Sequence, residues 1–327
     1  MVIVHRFHES LSSLSLTHPR PPFISVLPVG FCCDYPYFSL EYKPHIVIDN
    51  LKYATISQIY IKDLIFYQQD RETELTEFCE VNGITLLPAP DRRSCYKLTN
   101  GTFAGLPISS DMVCNPYDRL FDLQTLTKFQ KGGHDEVMFV MENDIIRGVV
   151  HIVDYNNAMI NFEFYKAVYQ FEKMLRGLLH HRGETNESLL AWMKEKSVGK
   201  DHWYRRYFEC CPRDKQRFLL QEEKRRNFGP FQTFYMNDLL HFVADRSYVS
   251  AYFRKSLHSI RDLRNWVAHS YDLTTKVDEV NAPLYRIEDL SRFIGNATRF
   301  FTCYEELEDM VRDEKIPLDY LRKQVEI

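Results

Sequence analysis

Five large apolar side chains, Phe164, Val168, Phe171, Leu175 and Leu178, recur at i, i+4, i+7, i+11 and i+14. A strand cannot place that spacing on one face; an α-helix can. It predicts a helix over residues 161–181. A second stripe, Leu290, Phe293, Ile294, Ala297, Phe301, Tyr304 and Leu307, predicts a long terminal helix over 287–311. Between these two, apolar spacing predicts shorter helices over 188–196, 201–211 and 233–244, and another starting near Tyr248. Pro283 marks a turn before the last helix. Gly and Pro are sparse throughout this half, so residues 158–327 are expected to form an all-α, up-and-down helical bundle.

The period differs upstream. Residues 1–50 read as an N-terminal extension, partly irregular around Pro19, Pro21 and Pro22, with short strands over 23–27 and 45–48. From residue 51 the pattern becomes α+β. A helix over 71–81 stops at Gly83, and strands over 84–89 and 92–98 follow. The order then recurs about 50 residues later: a helix over 118–129 ended by Gly132-Gly133, then strands over 137–141 and 145–151 around the turn Glu142-Asn143-Asp144. Two copies of a weak unit over residues 51–157 bury against each other what neither buries alone.

Net charge is −4, so nothing global announces a nucleic-acid binder, although a local basic groove suffices for short flexible RNA. Glu222-Glu223-Lys224-Arg225-Arg226 offers one such cluster, or else a solvated face. The eight cysteines form no C-x-x-C pair and no His partner lies at zinc spacing, which points to reduced thiols, no metal site and a cytoplasmic chain. No apolar run reaches the roughly 18 residues of a membrane span, and no signal-peptide pattern opens the sequence.

Unusual chemistry and helical period coincide at Arg261-Asp262-Leu263-Arg264-Asn265-Trp266-Val267-Ala268-His269. Ile260, Leu263 and Val267 make an apolar stripe, while Arg261, Asn265 and His269 line a separate polar face at i, i+4 and i+8. Arg264 and His269 are five positions apart, or about 140° around an ideal helix. Either the helix ends near His269, or the two groups converge where two helices meet across a dimer. The run Arg264, Asn265, His269 resembles the R-x(4-6)-H signature of HEPN domains. That resemblance implies an all-helical, homodimeric endoribonuclease requiring no cofactor for catalysis, with Arg264, Asn265 and His269 in the site. It also admits a toxin-like or phage-defence biology. Glu172, with Arg176 at i+4, serves either as helix support or as a group orienting Arg264 or His269; Arg261 is a second supporting candidate.

Gly148-Val149-Val150-His151-Ile152-Val153-Asp154 is similar to the G-h-h-(S/T/H)-x-x-D segment of CBS domains. That resemblance implies a CBS-like pair over residues 51–157 and an adenine nucleotide as regulatory ligand. Asp154 would stand at the ribose hydroxyls, and His151 at the position usually held by Ser or Thr. A carboxylate has two acceptor oxygens for two hydroxyls; an Asp at a helix start also serves as an N-cap. The first copy departs from the pattern: Gly101 and Gly105 lead to no aspartate in frame, and Asp111 lies outside it, so one nucleotide site or none is expected. The joint expectation is a metal-independent endoribonuclease acting on RNA and regulated by an adenine nucleotide. The alternative is a non-catalytic nucleotide-sensing or RNA-binding module.

Overall fold

The structure, a computed structural model, describes residues 45–131, 137–210, 231–269, 276–279, 282–285 and 287–318. The expected strand over 23–27, Gly132-Gly133 and the 222–226 charge cluster lie outside them. The chain is α+β. Its helices are α1 (His45–Lys52), α2 (Glu72–Asn82), α3 (Leu123–Lys131), α4 (Ala158–His181), α5 (Asn186–Lys196), α6 (Asp201–Cys210), α7 (Met236–Asp245), α8 (Ala251–His269) and α9 (Ile287–Asp313). Its strands are β1 (Leu86–Pro88), β2 (Cys95–Thr99), β3 (Thr102–Leu106), β4 (Val113–Cys114), β5 (Val137–Glu142), β6 (Ile145–His151), β7 (Lys276–Glu279) and β8 (Ala282–Tyr285). Among the described residues no helix is long and apolar enough to cross a membrane.

The first unit is an antiparallel meander, β1-β2-β3. Its helix α2 ends on Gly83 in the left-handed region (φ 64°), whose N–H reaches back to the Cys79 and Glu80 carbonyls. The second unit has a different topology: β4 runs parallel to β5, and β5 pairs antiparallel with β6. Helix–strand–strand therefore occurs twice, but the third strand follows it in one unit and precedes it in the other.

Strand β5 explains how the two units and the helices stack. Met138 and Val140 belong to the main core with α3 and the helical region, whereas Phe139 and Met141 pack with Ile146 of β6 and with Leu86, Cys95 and Leu106 of the first sheet. Side chains alternate faces along a strand, so a sheet buried on both sides reads as a continuous apolar run. The β4-β5-β6 sheet is thus a middle layer between β1-β2-β3 and the helices.

The helical region is held by an aromatic column. Phe164 of α4 packs edge-on to Phe293 of α9 at 5.1 Å, and Phe171 contacts Phe300 at 5.1 Å and stacks on Phe253 of α8 at 5.9 Å. Contacts at Trp266–Phe293 near one end and Ser250–Glu306 near the other make α8 and α9 antiparallel. Trp192 of α5 meets Trp203 of α6 at 4.8 Å and donates its Nε1–H to Asp245 at 2.9 Å. Arg206 clamps the buried Asp238 through Nη2 and through Nε at 3.3 Å, tying α6 to α7.

Several expectations require correction. Residues 45–48 are not a strand; they open α1, which buries Ile48 and Leu51. The third helix starts at Leu123 rather than 118, because Asp122 accepts the Gln124 N–H at 2.8 Å and the preceding stretch turns at Pro116. The region after 158 is not purely helical. A β7–β8 hairpin separates α8 from α9 and places Pro283 in a strand. A two-stranded hairpin has only edge strands, where a missing N–H is tolerated.

Candidate functional site

Helix α8 is continuous from Ala251 to His269. Phe253, Ile260, Leu263 and Val267 are buried and fix which face turns inward, while Trp266 packs on Phe293 at 5.3 Å. That rotation leaves Arg264 and Asn265 half-buried and His269 exposed on the last residue of the helix. Arg264 Nη1 donates to Asn265 Oδ1 at 3.4 Å, a long tether that still biases the guanidinium. With the helix unbroken, Arg264 and His269 keep their offset of about 140° and about 7.5 Å of rise. The structure brings Arg264 and Asn265 together, while ideal helix geometry turns Arg264 and His269 toward different sides of α8.

Arg261 is drawn the other way. Its Nη2 lies 2.6 Å from His258 Nδ1 and 3.1 Å from Asp262 Oδ1. His258 in turn reaches Asp262 Oδ2 at 3.1 Å. These are neighbours at i−3 and i+1, a local surface network that spacing alone did not single out. Glu172 is held by Arg176 at 2.5 Å, and Arg176 also donates to the Phe231 carbonyl at 3.4 Å. The neighbouring Phe171 stacks on Phe253, eleven positions before Arg264, or about 16 Å along α8. Glu172 therefore lies nearer the Phe253 end of α8 than the end that carries Arg264 and His269, and its carboxylate pairs with Arg176.

The Gly148–Asp154 segment is explained locally. A Cβ on Gly148 would fall 2.2 Å from Tyr60 Cδ2 and 2.4 Å from the Ile61 carbonyl oxygen. Ile61 bridges to Val149, with N–H to O distances of 2.8 and 3.1 Å in the two directions. Gly148 is there so that this segment can lie against β6. At the end of β6, His151 and Asp154 form a reciprocal capping box on the short 3₁₀-helix Ile152–Asn156. His151 is 2% exposed, and burial pushes its imidazole down to about 3, in keeping with Nδ1 accepting the Val153 N–H at 2.9 Å. A neutral, buried His is thus built into the turn that leads through Asn157 into α4.

A cleft that sequence reasoning did not find opens elsewhere, at the carboxyl ends of β4 and β5. This open cleft has a volume of about 910 Å³ and is lined in part by Arg93, Asp111, Lys128 and Asp144. These residues come from four separate segments, and only the fold assembles them. Neither His151 nor Asp154 lines it. Among the described residues no group of three or more His, Cys, Asp or Glu side chains is placed to hold a metal ion.

No family model, no curated protein and no solved structure matches this chain.

Proposed function

We propose that the chain is an endoribonuclease whose site is built from Arg264, Asn265 and His269, as in HEPN domains. The observation that carries this reading is the end of α8, where an exposed imidazole follows, on the same helix, a half-buried guanidinium tethered to an asparagine. RNA supplies its own nucleophile, the 2′-OH. His269 removes that proton as the general base, the imidazole nitrogen being the exposed acceptor at the end of α8. The 2′ oxygen attacks the adjacent phosphorus, the P–O5′ bond breaks, and the 5′ oxygen takes a proton from solvent. The products are a 2′,3′-cyclic phosphate and a 5′-OH. Arg264 stabilises charge on the non-bridging oxygens through its planar fork, and Asn265 positions that fork.

The 140° offset requires two copies: Arg264 of one protomer works with the imidazole of another across a two-fold axis. Labelled single-stranded RNA in excess EDTA tests the reaction. The wild type should leave a cyclic phosphate and His269→Ala should not; cleavage that survives His269→Ala contradicts the assignment.

Residues 51–157 act on this reading as a CBS-like regulatory region for an adenine nucleotide. The 3₁₀-helix Ile152–Asn156 runs into α4 with only Asn157 between, and its Tyr155 is buried against Phe129 of α3. A ligand that binds two arrangements of this region unequally would shift α4.

A second reading follows from the same offset. A chain that stays monomeric never unites Arg264 with His269, and is then a non-catalytic nucleotide-sensing or RNA-binding module.

A further inference from the structure

We infer that the cleft at the carboxyl ends of β4 and β5 is a binding site for a nucleoside phosphate, with the phosphate held by Arg93 and Lys128 and the ribose hydroxyls by Asp111 and Asp144. The inference deepens the regulatory half of the proposed function and rests on it. It moves the ligand away from Asp154, whose carboxylate is engaged with the capping turn.

Position comes first. In sheets with parallel strands, ligands settle outside the carboxyl ends. Here those ends are Cys114 of β4 and the end of β5 at Met141 and Glu142, and Cys114 and Met141 line the cleft.

The walls are set by the fold before any ligand arrives. Asn143 and Asp144 have φ of 53° and 57°, the left-handed pair that closes a tight two-residue hairpin and aims Asp144 at the cleft. The β1–β2 turn carrying Arg93 is anchored to β6 by the Ile146 N–H to Arg92 carbonyl bond of 2.8 Å. Asp118 accepts the Asn115 N–H at 2.8 Å and pairs with Lys128 at 2.5 Å, which places the ammonium. Tyr117 O–H donates to Glu142 at 2.9 Å and closes the β4 exit loop onto β5.

The chemistry then selects the ligand. Two cations at one site suit a phosphate, Arg93 by its fork and Lys128 as a point charge. Carboxylates beside those cations would repel a bare anion, but they accept hydrogen bonds from sugar hydroxyls. Ile108 and Met141 supply an apolar floor for a base. Size decides between candidates: the cleft lies in the range of about 300–1,000 Å³ typical of sites for whole small ligands. Inorganic phosphate or a free amino acid would fill only a fraction of it.

The test is calorimetric titration of the full chain with AMP, ATP, adenosine and inorganic phosphate. Wild type is compared with Arg93→Glu, an exposed position, and with Asp154→Asn; circular dichroism checks that each folds. AMP or ATP should bind wild type. Removing the phosphate (adenosine) or introducing Arg93→Glu should each weaken binding at least tenfold, about 1.4 kcal/mol. Asp154→Asn should change it less than about twofold, roughly 0.4 kcal/mol. Nucleotide binding that ignores Arg93→Glu and is lost in Asp154→Asn overturns the cleft while leaving nucleotide sensing intact. No binding of any nucleoside phosphate up to about 1 mM, roughly −4 kcal/mol, overturns both. RNA cleavage is not the readout, so failure of the nuclease reading is scored separately.

Discussion

The carboxylate of Asp154 accepts the His151 backbone N–H at 2.7 Å, while the His151 imidazole accepts the Val153 N–H at 2.9 Å. A segment whose residues resemble a nucleotide-binding motif is thus also a self-contained capping turn, and its thermodynamics are open to measurement.

The buried His151 makes stability depend on pH. Its folded pKa of about 3 lies below the unfolded value near 6.5, so its contribution is complete above about 6.5 and is lost as the pH falls toward 3. Between pH 7 and pH 5 the wild type should lose about 2 kcal/mol that His151→Asn, which keeps an acceptor but does not titrate, does not lose. Urea denaturation at the two pH values measures the difference. Parallel losses in the two proteins would show that His151 is charged or exposed in the native state.

Gly148→Ala should be among the costlier single-methyl insertions in the chain. The added carbon would meet backbone at the Ile61 carbonyl as well as the Tyr60 ring, so side-chain rotation cannot relieve it. A loss of about 1–3 kcal/mol is expected, or failure to fold if the contact cannot open. Thermal unfolding checks this, and a variant as stable as wild type would mean that the 60–61 segment does not lie on β6.

Glu172→Gln separates helix support from catalysis. It removes a partly buried i,i+4 pair with Arg176 at 2.5 Å, worth about 0.5–1 kcal/mol. RNA cleavage by the folded variant should stay within about twofold of wild type, an effect below roughly 0.4 kcal/mol in barrier. A hundredfold drop in turnover with unchanged stability would put Glu172 in the site after all.

The composite arrangement predicts a homodimer in solution. Sedimentation velocity at micromolar protein should give twice the 38.9 kDa chain mass. A strict monomer that still cleaves RNA would remove the need for two copies.

The sequence and the fold agree where the information is local. The 3.6-residue stripes predicting helices over 161–181 and 287–311 became α4 and α9, because each stripe is itself the buried face. Gly83 marks its helix end through a backbone preference that no distant contact overrides. Elsewhere long-range packing decided. The β-branched stretch at residues 45–48 reads as strand, yet α1 docks on α4 and α9, with Lys52 paired to Glu305. Strand β3 carries only a weak alternation, and Pro283 argued against a strand that the hairpin tolerates. The Arg206–Asp238 clamp joins positions 32 apart, and the cleft joins Arg93 to Asp144 across two sheets. Such pairs have no spacing signature. Arg264, Asn265 and His269 were legible as a group because one helix carries all three.

Mixing two inactive variants probes the site most directly. Arg264→Ala and His269→Ala are each expected to lose RNA cleavage in EDTA. Subunit exchange between them makes about half the dimers mixed, each with one of its two composite sites intact. About one quarter of wild-type activity should return, with 2′,3′-cyclic phosphate as product. A mixture no more active than its components, while wild type cleaves, or a wild type that does not cleave at all, would contradict a nuclease site shared between two copies of α8.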